Sequence, residues 1–283
     1  MSAGSTERNL TADLYLDLMK RCLTRAISKE DFETVDLLPF IPGTFGRRVN
    51  HGIFRFLRER NIEVVRRVSR DLKKLEEGRC WPSGAETMIG LKRLDNLQYC
   101  VTDVIRNKVP GDLIETGVWR GGAAIFMRAV LRAYDEKERI VWVADSFEGL
   151  PKPAPEKYPA DKDSDLWKYG ELIVSLEEVK GNFERYGLLD DQVRFLKGWF
   201  RDTLPGAPIE RIAVLRLDGD MYESTMDALR PLYPKLSPGG YLIVDDYSLP
   251  ACRKAVSDYR AEYGVVEEIQ QIDWTGVFWK KIG

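Results

Sequence analysis

The chain has 283 residues, 44% of them hydrophobic and 31% charged, with a formal net charge of −2. This length holds one large domain, or one domain with a smaller helical piece. The charge balance argues against a broad phosphate-binding surface and so against nucleic acid as a partner. No stretch is long and apolar enough to cross a bilayer, and the amino terminus lacks the basic-then-apolar layout of a secretory signal. The chain therefore reads as cytoplasmic, with no membrane contact.

Leu10, Leu14, Leu18 and Cys22 recur every fourth residue, which predicts a helix over 8–30. Residues 31–50 carry Pro39, Pro42, Gly43 and Gly46 and read as a loop. Residues 51–76 read as helical again. The arginines between Arg47 and Arg70 are interrupted by Ile53, Phe54, Leu57, Val64, Val65 and Val68. That pattern fits an amphipathic helical region, with a nucleic-acid patch as the alternative. Gly78, Pro82 and Gly84 mark a break, and Glu86 to Val104 predicts a helix leading into the main domain. The boundary falls near residue 85: a helical amino-terminal segment over 1–85, serving oligomerisation or covering an acceptor, then a main domain over 86–283.

From residue 111 short strand-like runs alternate with helical ones. The expected strands are Asp112 to Thr116, Ile140 to Ala144, Val193 to Leu196, Ile212 to Leu217 and Tyr241 to Val244. The expected helices are Gly121 to Tyr134, Leu172 to Tyr186, Met226 to Leu236 and Ala251 to Tyr263. This alternation predicts a doubly wound parallel sheet, which binds ligands beyond the carboxyl ends of its strands. The runs Val266 to Ile272 and Gly276 to Lys281 flank Asp273, Trp274 and Thr275 and predict a closing antiparallel hairpin. The fold expected is thus α/β: a Rossmann-like sheet of the class I methyltransferase kind with a carboxyl-terminal antiparallel hairpin.

Cys22, Cys80, Cys100 and Cys252 form no C-x-x-C pair, so zinc or dithiol chemistry is not expected. His51 is the only histidine and lies far upstream of every other candidate. The chemistry must then come from carboxylates, lysine, tyrosine or a metal. At the first strand-to-helix turn stands Glu115-Thr-Gly-Val-Trp-Arg-Gly-Gly122, without the G-x-G-x-x-G spacing that cradles a pyrophosphate. Glu115 would repel a pyrophosphate but can accept hydrogen bonds from an ammonium group. S-adenosyl-L-methionine carries such a group and a positive sulfur, and no phosphate. Thr116, Gly117, Arg120 and Gly121 belong to this candidate cofactor turn. Asp145, ending the second strand beside Ser146, either holds ribose hydroxyls or caps the next turn. Gly198, Trp199 and Phe200 follow the third strand, where aromatics either wall an adenine pocket or pack in the core.

Asp218 ends the fourth strand, and Asp245 and Asp246 end the fifth. In the predicted topology these strand ends are neighbours. Three uncompensated carboxylates in one cleft repel strongly, and a hard cation such as Mg²⁺ relieves that. The stretch from Leu150 to Gly170 is long, irregular and rich in proline and charge. It is either an acceptor lid, with Tyr158, Trp167 and Tyr169 closing over the ligand, or disordered.

The runs ETGVWRGGA, VADSFEGLP, LRLDGDMYESTMDAL, LSPGGYLIVDDY and PACRKAV resemble the macrocin O-methyltransferase family, from about Thr87 to the carboxyl terminus. The resemblance implies S-adenosylmethionine- and Mg²⁺-dependent methylation of a deoxysugar hydroxyl on a glycosylated small molecule. It implies Asp218 as both metal ligand and base, with Asp245 and Asp246 completing the metal set. Met221 stands where catechol methyltransferases carry a lysine base, so that mechanism does not transfer. Thr87 and Met88 join the candidate cofactor set, and Tyr222 and Tyr247 the acceptor set. The resemblance also implies a homodimer or larger homo-oligomer built through amino-terminal helices. A nucleic-acid methyltransferase, a non-catalytic cofactor-binding protein and a nicotinamide reductase are the competing classes.

Overall fold

The computed structural model describes residues 3–28, 31–34, 56–57, 59–62, 64–69 and 71–283. Its centre is a seven-stranded sheet in the order β5-β4-β3-β6-β7-β9-β8. The strands are β3 (Asp112–Thr116), β4 (Val141–Asp145), β5 (Val193–Lys197), β6 (Ile212–Leu217), β7 (Leu236–Val244), β8 (Gln270–Gln271) and β9 (Val277–Lys280). Five strands run parallel. β9 is antiparallel to both β7 and β8, which is the expected closing hairpin.

Because successive strand residues face opposite sides, the sheet feeds two hydrophobic cores. Leu113, Val141, Val143 and Val214 enter one, together with α3 (Leu91–Arg106) and α4 (Gly122–Ala133). Ile114, Trp142, Ala144 and Leu215 enter the other, with α7 (Tyr222–Leu232) and α8 (Pro250–Tyr263). Two shorter helices, α5 (Leu176–Arg185) and α6 (Phe200–Thr203), flank β5 in sequence. The topological switch lies between β3 and β6, so ligands belong above Thr116 and Leu217.

Three of the boundary differences from the sequence expectation have identifiable reasons. α5 begins at Leu176 because the Ser175 side chain accepts the Glu178 N–H at 3.1 Å, an N-cap. α7 begins four residues early, at Tyr222. Asp161, remote in sequence, accepts the backbone N–H groups of Tyr222 and Glu223 at 2.7 and 3.0 Å and caps it. β7 begins at Leu236 because an irregularity in its pairing with β6 absorbs Pro238, Gly239 and Gly240.

The upstream part departs further. α1 (Ala3–Leu23) ends before the expected residue 30 and packs through Leu16, Met19 and Leu23 on the core beside α3 and α4. The row Leu10, Leu14, Leu18 is 61%, 65% and 49% exposed. Within the expected loop over 31–50, Asp31–Thr34 form strand β1. Within the expected helix over 51–76, Val65–Val68 form strand β2, paired antiparallel with β1, and Leu72–Glu76 (α2) form a helix. The β-branched Val64, Val65 and Val68 favour extended backbone, and that preference outweighs the helical spacing. His51, Ile53 and Phe54 lie outside the described residues.

Candidate active site

A cleft of about 730 Å³ opens at the carboxyl ends of the parallel strands. β3 delivers Glu115, and the turn after it delivers Gly117 and Arg120. Asp145 ends β4 and Ser146 follows it, Trp199 and Phe200 follow β5, Asp218 follows β6, and Asp245 and Asp246 follow β7. Thr87, Met88 and Tyr169 also line this cleft. Thr116, Gly121 and Gly198 do not. Thr116 is buried in β3, Gly121 has φ +86° at the start of α4, and the Gly198 N–H donates to the Asp145 carbonyl at 2.9 Å. They shape the backbone beneath the cleft.

Tyr158, Trp167, Tyr222 and Tyr247 also lie away from the cleft lining. Tyr158 packs against Tyr222, with ring centres 6.0 Å apart. The Tyr222 hydroxyl donates to Asp258 at 2.9 Å. Trp167 lies beneath the ammonium groups of Lys152 and Lys168, and Tyr247 beneath the Arg253 guanidinium. The stretch from Leu150 to Gly170 carries 3₁₀ turns at Pro159–Asp161 and Leu166–Lys168, with a third at Gly170–Leu172. Asp161 anchors it to α7. Just beyond it, the Glu171 carbonyl accepts the Trp119 Nε1–H at 2.8 Å, which joins this segment to the cofactor turn. Leu150, Pro151, Leu166 and Tyr169 of this stretch line the cleft, as do Glu171 and Leu172 just beyond it.

The carboxylates have distinct surroundings. Asp145 accepts the Val118 N–H at 2.7 Å through Oδ2 and the Phe147 N–H at 2.8 Å through Oδ1. It therefore fixes the turn while also lining the cleft. Gly117 is required by packing: a Cβ there would lie 1.7 Å from the Asp218 carbonyl oxygen, at φ +85°. Asp218, Asp245 and Asp246 each bring an oxygen within 4.8 Å of the others. Burial pushes the Asp218 carboxyl up, with Asp245 adding to it. Asp246 is driven well above the ordinary range by burial and then by Asp220, Asp218 and Asp245. Asp220, also in the cleft, rises to about 7 from burial and the charges of Asp218 and Asp245.

The cluster is not uncompensated, contrary to the sequence expectation. Arg216, fully buried in β6, contacts Glu115, reaches Asp218 at 2.8 Å and reaches Asp245 at 2.6 Å. Arg93 of α3 pairs with the other Asp245 oxygen and lies 2.9 Å from Asp273 in the hairpin. Burial opposes the charge on both guanidiniums. Asp245, with Asp218 and Glu115 for Arg216 and with Asp273 for Arg93, nevertheless holds their pKa values above the usual one. Carboxyl groups outnumber the guanidiniums paired with them: Glu115, Asp218, Asp220, Asp245, Asp246 and Asp273 gather around Arg216 and Arg93.

The macrocin-O-methyltransferase (TylF) family profile matches residues 12–281. The chain belongs to the macrocin-O-methyltransferase family. It is 58% identical over 277 residues to demethyldecarbamoylnovobiocin O-methyltransferase of Streptomyces niveus, covering 97% of this chain and 96% of the relative. It is 54% identical over 269 residues to 8-demethyl-8-(2,3-dimethoxy-alpha-L-rhamnosyl)-tetracenomycin-C 4'-O-methyltransferase of Streptomyces olivaceus, covering 95% and 92%. The solved structure of the O-methyltransferase NovP superposes with a TM-score of 0.82 at 47% identity, over 96% of this chain and 100% of that one. The protein is an O-methyltransferase, and membership of this family implies S-adenosylmethionine as methyl donor.

The methyltransferase cleft suits that donor. Glu115 lines the cleft, and its Oε2 is buried without a hydrogen-bond partner. Burial raises the Glu115 carboxyl to about 8 despite Arg216, and a cationic ligand would lower it again. Arg120, in the candidate cofactor set, spends its guanidinium on the carbonyls of Ser83 and Ala85 at 2.6 and 2.9 Å. Arg93, Arg216 and Asp220 escaped the sequence reading. The signal for Arg216 was present: an arginine inside the otherwise apolar strand Ile212–Leu217 has to be paired.

Proposed function

We propose that the enzyme uses S-adenosylmethionine and Mg²⁺ to methylate a deoxysugar hydroxyl on a glycosylated natural product, as in the assembly of macrolide-like antibiotics. The observation that carries the metal reading is the convergence of Asp218, Asp245 and Asp246 beside Glu115 and Asp145 in one cleft. The excess of carboxylates over arginines and the all-oxygen donor set suit a hard divalent cation. The sugar reading is supported by the rhamnosyl group in the name of the Streptomyces olivaceus relative.

A sugar hydroxyl is a very weak acid, so a lone carboxylate removes its proton poorly. Bound Mg²⁺ would stabilise charge on the acceptor oxygen. Asp218 is the candidate base: its side chain keeps 29% exposure, and Arg216 holds one of its oxygens. Glu115 would receive the donor's ammonium group and Asp145 its ribose hydroxyls. Trp199 and Phe200 would wall the adenine. Leu166, Tyr169 and Leu172 form an apolar wall for the acceptor. This positioning of the two reactants is a main source of rate. We place the enzyme in the cytoplasm as a homodimer or larger homo-oligomer, a reading supported by the exposed leucine row of α1. Among the described residues no helix is long and apolar enough to cross a membrane.

The test is transfer of a labelled methyl group to a panel of glycosylated acceptors and their aglycones. Transfer should require the sugar, stop in EDTA and return with Mg²⁺. Full activity in metal-free enzyme would overturn the metal assignment. Equal transfer to the aglycones would overturn the sugar.

A further inference from the structure

Arg216 is one cation serving three strand ends. Its Nη1 contacts Glu115 Oε1 at the end of β3 and reaches Asp218 Oδ2 just past β6 at 2.8 Å, while Nη2 reaches Asp245 Oδ1 just past β7 at 2.6 Å. It is 1% exposed. Alternation along β6 puts it on the same face as Val214, the face covered by α3. From α3, Arg93 grips the second Asp245 oxygen. Both oxygens of Asp245 are thereby fixed by arginines, and one oxygen of Asp218 is fixed as well.

A guanidinium is a rigid planar fork with five donors, so it can set the directions of several carboxylates together. A lysine ammonium on a flexible stem matches the charge but not the fork. An apolar residue at this position would meet the ordinary needs of a strand buried on both faces. A desolvated cation there is unfavourable unless it is well paired. Its partners are the very groups assigned to the donor's ammonium, the acceptor's proton and the metal. The carboxylates are aimed before any ligand arrives, which is what preorganisation of a charged site requires.

We propose that Arg216, backed by Arg93, is a positioning residue for the methyl-transfer reaction: it orients Asp218 and Asp245 for cation binding and proton removal, and joins them to Glu115. The inference rests on the function proposed above. Arg216 touches neither reactant and acts through the carboxylates.

The experiment uses Arg216→Lys in the full chain, with folding checked by circular dichroism and by calorimetry with S-adenosylhomocysteine. Mn²⁺ affinity of the donor-free protein is read from water-proton relaxation, and kcat and acceptor KM are read with Mg²⁺. Mn²⁺ affinity should fall about tenfold and kcat about 10- to 100-fold, the range for residues that orient metal ligands. Acceptor KM should move less than about threefold, since the acceptor wall is intact. In an Asp218→Asn background, Arg216→Lys should cost little further kcat, because both changes act on one unit. Wild-type Mn²⁺ affinity and kcat in Arg216→Lys, or losses that multiply in the double variant, would overturn the proposal. If the wild-type enzyme transfers no methyl group with Mg²⁺, the functional reading fails, and Mn²⁺ affinity still decides the role of Arg216. Should Arg216→Lys not fold, Arg93→Lys takes its place. It should lose Mn²⁺ affinity severalfold with S-adenosylhomocysteine affinity unchanged, and wild-type Mn²⁺ affinity there would overturn the proposal.

Discussion

Asp145 faces the cleft, yet both of its oxygens accept backbone N–H groups from the turns around it. Asp145→Ala should weaken S-adenosylhomocysteine binding by about 1–3 kcal/mol, the scale of a lost charged hydrogen bond, and calorimetry measures it. Unchanged affinity would remove Asp145 from the donor pocket. Gly117→Val belongs to a different class: its Cβ would meet the Asp218 carbonyl, so the expected outcome is loss of soluble folded protein in circular dichroism. A folded variant that only binds donor poorly would count against that. Asp218→Asn should lower kcat by roughly 10²-fold or more at saturating Mg²⁺, the loss expected for a general base. Near-normal kcat would leave the carboxylate cluster without its base. The carboxylates were legible because acids at strand ends stand out in sequence. Arg93 and Arg216 were not, because pairing across 152 and 29 residues with Asp245 depends on the packed fold.

α1 was legible as a helix, but the row by which it packs was not. Its apolar residues fall on two faces: Leu16, Met19 and Leu23 pack on the core, while Leu10, Leu14 and Leu18 face outward. Sequence spacing cannot choose between two apolar rows. Replacing Leu14 and Leu18 together by lysine should lower the mass seen in light scattering and leave the thermal midpoint nearly unchanged, since exposed positions contribute little to monomer stability. An unchanged mass would exclude this row from self-association. The segment over 150–170 was legible as irregular, but its anchors at Asp161 and, just beyond it, Glu171 were not, because their partners Tyr222, Glu223 and Trp119 are remote. Tyr169 lines the cleft and Trp167 does not. Tyr169→Ala should therefore raise acceptor KM severalfold, and Trp167→Ala should change it much less. The reverse order in steady-state kinetics would reassign the wall. The β1–β2 pair was missed because arginine-rich, valine-flanked sequence satisfies a helical period while valine favours extended backbone.

At the scale of the whole molecule, the parallel sheet was readable because each buried strand is a short apolar run and each crossover a helical one. The adjacency of β6 and β7 was expected from the sequence, and so was the antiparallel closure by the last two runs. The cleft draws on five strand ends, so ligand binding should stabilise the fold as a unit. S-adenosylhomocysteine at 100 times its Kd should add about 2.7 kcal/mol, seen as an upward shift of the calorimetric midpoint by several degrees. No shift would mean that the ligand fails to bind the folded state. The hairpin between β8 and β9 carries a further implication. Asp273 meets Arg93, Thr275 Oγ1 donates to the Asp245 carbonyl at 3.0 Å, and Trp274 Nε1 donates to the Glu77 carbonyl at 2.9 Å. The ribosome makes these residues after every carboxylate of the cleft. A nascent chain that already holds Glu115, Asp218 and Asp246 thus lacks the piece that locks Arg93 against Asp245. Vectorial synthesis therefore supplies the Asp273 contact to Arg93 only after every carboxylate of the cleft is already in the chain.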